Sequence, residues 1–239
     1  MYSERASALP HVVAWWSVTP PGAPPKRILP DGCLDIIWRD GTVFVAGPDT
    51  TAQLGRPAPG SRLFALRFGS GTGPGVLGLP ASEVVDQQVP LDALWPASVV
   101  RRLSSADDPL AALTAEAARR WVTPDRSMLA LAAAARAGDP VSVIASRCGL
   151  SPRQLQRRSN AAFGYGPKTL ERIFRMQRAV ELARRGSPFA AVSATAGYAD
   201  QAHLAREVRA MAGVPLGELL EPSAISSLGE LLEPSPISS

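Results

Sequence analysis

The chain has 239 residues, 46% of them hydrophobic, which is enough to bury the core of one or two domains. No apolar run reaches the roughly 18 residues of a membrane span, and "MYSERASALPHVVAWW" lacks the pattern of a secretion signal, so a reducing cytoplasm is the expected setting and no membrane partner is expected. Two cysteines far apart, Cys33 and Cys148, exclude a disulfide framework and a paired-cysteine zinc site.

In chain order, residues 1–100 are rich in Pro and Gly and carry short apolar runs, "CLDIIW", "TVFVAG" and "RLFALRF", bounded by turn formers. These predict short strands in a β-rich unit. "GPGVLG" at 73–78 satisfies the glycine pattern of a dinucleotide loop, but "LPAS" follows at once and breaks the helix such a site needs, so no cofactor is expected. Cys33 precedes an apolar run and reads foremost as a buried structural cysteine. The competing reading makes it a reactive thiol, in a catalytic or thiol-reactive N-terminal domain that the helical half delivers to DNA. Trp15, Trp16, Trp38 and Trp95 all fall in this half, where core packing is the default and an apolar effector pocket the sharper alternative. His11 and His203 have no neighbours in metal-ligand spacing, and no nucleophile–base set stands out, so neither a metal nor enzymatic activity is expected.

From about Pro109 the texture changes to Ala, Leu and Arg with apolar residues at helical spacing, which predicts a helical connection over 101–123 and an all-helical domain over 124–221. Charge divides the same way. Met1 to Thr123 carries eleven basic and eleven acidic residues, whereas Pro124 to Pro215 carries fourteen basic against six acidic. All the positive excess therefore sits in the helical block, as nucleic-acid binding requires.

Within that block "VSVIASRCGLSPRQLQRR" reads as helix, turn, helix. Val141, Ile144, Ala145 and Cys148 are expected on the inner face, Gly149 in the turn, Leu150 plugging the angle, and Ser151 capping a helix that opens with Pro152. Leu155 faces inward, leaving Arg153, Gln154, Gln156, Arg157 and Arg158 largely outside. The pattern returns 48 residues later in "FAAVSATAGYADQAHLAREVR". Val192, Ser193, Gly197 and Tyr198 stand where Ile144, Ala145, Gly149 and Leu150 stood; the turn is one residue longer, Asp200 is the expected cap, and Gln201, His203, Arg206 and Arg209 point outward. "GPKTLERIFRMQRAVELARRG" between them predicts a linker helix that fixes the distance between the two units. An Arg/Gln-rich face suits the major groove, where arginine reaches both acceptors of guanine and glutamine pairs with adenine. One such face alone reads more readily as solvated surface; two behind matching turns in a basic block reverse that judgement. The tail holds a tandem repeat, "LGELLEPSAISS" at 216–227 and "LGELLEPSPISS" at 228–239, read as a terminal duplication, with disorder expected over 222–239.

"LSPRQLQRR", "GYGPKTLERIFRMQRAVELA" and "AGYADQAHLAREVRAMAGVP", in this order over about 126–220, resemble the AraC/XylS family of bacterial transcription regulators. The resemblance implies an α+β chain, with a β-rich, barrel-like N-terminal sensing or dimerisation domain followed by an all-α double helix-turn-helix domain. It implies that both second helices enter the major groove on one duplex face, about 34 Å apart. By family position the base-reading residues are Arg153, Gln156 and Arg157 in the first unit, and Gln201, His203 and Arg206 in the second. Arg158, Lys168, Arg172 and Arg209 are the candidate phosphate contacts. "LPDGCLDIIWRDGTVFVAGPDT", "LRFGSGTGPGVLGLPASEV" and "VPLDALW" resemble the small sensor-like domain of one subgroup, without indicating its ligand. Double-stranded DNA is the implied partner, and RNA polymerase, a small-molecule effector and a second copy of the chain are further partners of such a regulator. Ser159 and Val208 stand where the family commonly has Phe; at Ser159 this removes an apolar anchor from the first recognition helix, and Phe163 is the nearest replacement.

Overall fold

A computed structural model describes residues 2–221. Its N-terminal half is an antiparallel sheet of six strands in the order β1 (Tyr2–Ala6), β2 (Val12–Val18), β7 (Arg62–Phe68), β4 (Leu34–Arg39), β5 (Thr42–Ala46) and β8 (Gln88–Pro90). β3 (Lys26–Ile28) and β6 (Gln53–Gly55) form a separate antiparallel ribbon. The β-rich unit is thus an open sheet with β1 and β8 at its edges.

The central strand β4, "LDIIWR", is buried from Leu34 to Trp38 on both faces because both are covered. Leu34, Ile36 and Trp38 join Leu66 and Phe68 of β7 in one core, which also takes Leu103 of α2 (Ala97–Ser104) and Leu110, Leu113 and Ala117 of α3 (Pro109–Arg119). Residues 101–123 therefore include helical surface packed on the sheet as well as a connection to the next domain. Trp15, Ile37, Phe44 and Ala65 form a smaller cluster on the other face. Two polar side chains are buried beside it: Asp35 accepts from Trp15 Nε1 at 2.9 Å and pairs with Arg67 at 3.2 Å, and Arg67 also pairs with Asp31 at 3.3 Å. A charge pair taken out of water this way is tolerated because each partner is both paired and hydrogen-bonded. "GPGVLG" supplies one short helix, α1 (Gly73–Leu77), closed by Gly78, too short to present a row of N–H groups to a pyrophosphate.

Three of the tryptophans fill core positions. Trp15, Trp38 and Trp95 are buried and donate to Asp35, to the Ser104 carbonyl and to the Leu77 carbonyl, which satisfies the one polar atom each carries. Trp16 is half-buried at the margin of the larger core. Cys33 is buried and its thiol is pushed up by that burial, with the nearby Asp31 carboxylate adding to the shift. A thiol held neutral in this way is a poor nucleophile, so its environment is that of the structural cysteine.

The described part of the C-terminal half has six α-helices: α4 (Arg126–Ala137), α5 (Val141–Arg147), α6 (Pro152–Phe163), α7 (Pro167–Arg184), α8 (Phe189–Ala196) and α9 (Gln201–Ala212). Helix α7 is the axis, with Leu170, Ile173, Phe174, Met176, Ala179, Val180 and Ala183 all buried along its length. At its middle Arg178 donates to the Ala135 and Arg136 carbonyls at 2.9 and 3.0 Å, and reaches the Ala196 carbonyl at 3.5 Å. One guanidinium thus serves the C-terminal ends of α4 and α8, where unpaired carbonyls concentrate partial negative charge. Leu216 and Leu219, in the first copy of the tail repeat, are buried in this same core. The disorder expected over 222–239 lies outside the described residues.

Candidate nucleic-acid interface

The two helix-turn-helix units close in the same way. In the first, Gly149 N–H donates to the Ser146 carbonyl and Leu150 N–H to that of Ala145, at 3.0 and 2.9 Å; in the second, Gly197 donates to Ala194 and Tyr198 to Ser193, at 3.3 and 2.8 Å. Both glycines adopt positive φ, 65° and 84°, a region costly to a residue with a Cβ. The caps then diverge by one residue. Ser151 and Gln154 form a reciprocal capping box at the start of α6, while Asp200 accepts from His203 N–H at 2.6 Å at the start of α9. The extra residue of the second turn, Ala199, donates its N–H to His203 Nδ1 at 3.4 Å.

One inner-face assignment is corrected. Cys148 is exposed rather than packed, because α5 ends at Arg147 and Cys148 already belongs to the turn. Val141 and Ala145 are buried as the inner face requires, and Leu150 and Leu155 pack against the core from its margin. The side chain of Ile144, expected on the same face, lies outside the described residues.

Arg153, Gln156 and Arg157 lie along the outer face of α6, all exposed; Gln201 and Arg206 are exposed on α9. Among the described residues, none of Arg153, Arg157 and Arg206 is ion-paired, so their guanidinium donors face solvent. Gln156 is held by a 2.9 Å hydrogen bond from its amide to Asn160, one turn further along the helix. His203 is half-buried, its ring edge-on to Tyr198 at 5.3 Å, so it supports the second turn as well as bordering the outer face.

The four candidate phosphate residues divide into two kinds. Lys168, in the first turn of α7, and Arg209, in the last turn of α9, are exposed. Arg158 is engaged through Nε and Nη2 with Asp125, the cap of α4, and Arg172 pairs through Nε with Glu207 at 2.6 Å. Glu207 is a site residue that the reading of the outer faces passed over. It is buried on α9, bound by Arg172 and by Arg175, the latter at 2.7 Å, and so clamps α9 to α7. Its signal was present in the sequence, since Leu204, Glu207, Val208 and Met211 form one helical stripe with a carboxylate set among apolar residues.

The anchor question at Ser159 is answered by packing. Ser159 is fully buried with no hydrogen-bond partner for Oγ among the described residues, and Phe163, one turn on and 1% exposed, supplies the apolar bulk. Val208 is fully buried, a β-branched side chain filling its position in the second unit.

A helix-turn-helix domain family matches residues 144–221, and a domain of unknown function, DUF6597, matches residues 6–90. No curated protein matches the sequence. Among solved structures, an apo single-substitution variant of ToxT from Vibrio cholerae strain SCE256 is similar at 10% identity and a TM-score of 0.46, over 90% of this chain and 98% of that one. Wild-type ToxT from the same strain, bound to an unsaturated fatty acid, is similar at 10% identity and a TM-score of 0.44, over 92% and 97%.

Proposed function

We propose that the chain is an AraC-type helix-turn-helix regulator through its C-terminal domain, and that it reads a specific DNA sequence with two recognition helices, α6 and α9, in successive major grooves of one duplex. The observation that carries this reading is the pair of turns closed by the same hydrogen bonds, each presenting exposed polar residues from the start of its second helix. Arg153, Gln156 and Arg157 would contact base edges in one groove, and Gln201, His203 and Arg206 in the next. Lys168 and Arg209 would meet phosphates directly. Arg158 and Arg172, each held by a carboxylate, would do so with the N–H donors left over, which fixes their direction at some cost in net charge.

The N-terminal sheet domain would transmit the presence of a small-molecule effector, a role that rests on its position beside the helical domain. The narrow cleft between the Gly69–Gly73 loop and Phe163 has a volume of about 10 Å³, room for a single water, so an effector of drug size would have to open that junction or bind elsewhere.

Selection of duplexes from a random-sequence pool with the full chain, followed by Arg157→Ala, tests the reading. Loss of a bidentate base contact should cut discrimination at one position by about 1 to 3 kcal/mol while leaving binding to unrelated duplex nearly constant. Equal weakening on every sequence would reduce Arg157 to a phosphate contact.

A further inference from the structure

Among the described residues, the helical domain is seated on the sheet domain through α6, α7 and α9. At the C-terminal end of α6, Phe163 lies so close to Gly71 that a Cβ there would be 3.1 Å from the ring, and a Cβ on Gly164 would fall 2.3 Å from the Val85 side chain. At the middle of α7, the Gln177 amide donates to the Pro30 carbonyl, and a Cβ on Gly32 would meet Phe174 and Leu170 at 3.4 and 3.5 Å. At the C-terminal end of α9, Arg27 of β3 donates to the Ala212 carbonyl at 2.9 Å, and Ala52 N–H, just before β6, donates to the Met211 carbonyl at 2.7 Å.

We propose that the β3–β6 ribbon and the Leu29–Gly32 loop are a gauge that sets the separation of the two recognition helices, with Arg27 and Gln177 as positioning residues that determine which half-site spacing the protein accepts. The inference rests on the double-groove reading above. Each anchor grips a helix at its C-terminal end or back, while Arg153, Gln156 and Arg157 at the start of α6, and Gln201 and Arg206 at the start of α9, stay exposed. The docked arrangement therefore leaves the reading surfaces open. Terminal helix carbonyls are the natural handle for such a grip, since they lack intrahelical partners and carry the negative end of the helix dipole, which favours a guanidinium. The loop is itself fixed from the sheet side: Cys33 N–H donates to Asp31 Oδ1 at 2.9 Å, and the buried Arg67 pairs with Asp31 and Asp35. The frame that holds α7 thus continues into the interior of the sheet domain.

Spacing matters because one added base pair moves a half-site by about 3.4 Å and rotates it by about 35°. A rigid pair of helices cannot follow both changes; a loose pair can. The test starts from the duplex that the wild-type full chain selects from a random pool, and varies the separation of its two half-sites by one and two base pairs. Wild type should lose at least about tenfold in affinity per inserted base pair, the second groove contact being forfeited when geometry forbids it. Arg27→Ala and Gln177→Ala should each bind the selected duplex more weakly, flatten the spacing profile to within about threefold, and bind an isolated half-site as wild type does. Arg27→Lys should restore part of the discrimination, and unchanged melting temperatures would separate positioning from folding. A wild-type spacing profile in both alanine variants, equal weakening on half-site and full site, or tighter binding by the variants would each overturn the gauge while sparing the double-groove reading. Failure of the wild type to select any duplex would remove both.

Discussion

Ser159 shows how one buried atom can be left without a partner in an otherwise packed helix. Its Oγ is buried where α6 packs on the core and has no hydrogen-bond partner among the described residues, so the hydroxyl is desolvated for no return. Ser159→Ala should leave stability unchanged or raise it by about 1 kcal/mol in chemical denaturation; a clear loss of stability would mean that the hydroxyl has a partner in solution. Asp49 makes a second residue-scale prediction. Burial, and after it the neighbouring carboxylates of Asp86 and Asp31, push its carboxyl up to about 7. In the unfolded chain the same group titrates near 3.9, so between about pH 4 and 7 the folded state binds a proton that the unfolded state has released. Asp49 therefore contributes stability that declines as pH rises through that window. Asp49→Asn should flatten this part of the stability–pH curve, measured by urea titration at several pH values. An unaltered slope would place the carboxylate in contact with water.

At the scale of the element, the helices of the C-terminal half were legible because their ends carry side-chain signals. Ser151 with Pro152, Gly149, Asp200 and Gly197 announce caps and turns whose chemistry is local, and the structure puts each in that role. Ser151→Ala should remove one arm of the capping box and destabilise the helical domain by about 1 kcal/mol, measured by thermal unfolding; no change would mean that Gln154 and solvent replace the cap. Local signals also mislead by single residues: Cys148 falls at helical spacing from Val141 and Ile144, yet the Gly149 turn has already drawn it out of the helix. The strands were legible where they alternate or run apolar, as in "CLDIIW". β3, β6 and β8 have three residues each, too few for any period to show.

For the molecule as a whole, the least legible feature is the seating of one domain on the other. Arg27 and Ala212 stand 185 residues apart, and the acceptors at Ala212, Met211 and Pro30 are backbone carbonyls that any residue would provide. No pattern of side chains marks such a contact, whereas the charge division between the two halves was visible at once. That division, neutral sheet domain and basic helical domain, fits a molecule that meets DNA with one half and is steadied by the other. Among the described residues no helix is long and apolar enough to cross a membrane. The central claim, that α6 and α9 read one duplex together, is tested most directly by a chemical footprint of the full chain on the duplex it selects. Two protected major-groove patches on the same face, about 10 base pairs apart, are the predicted result. A single patch, or protection that does not depend on sequence, would contradict it.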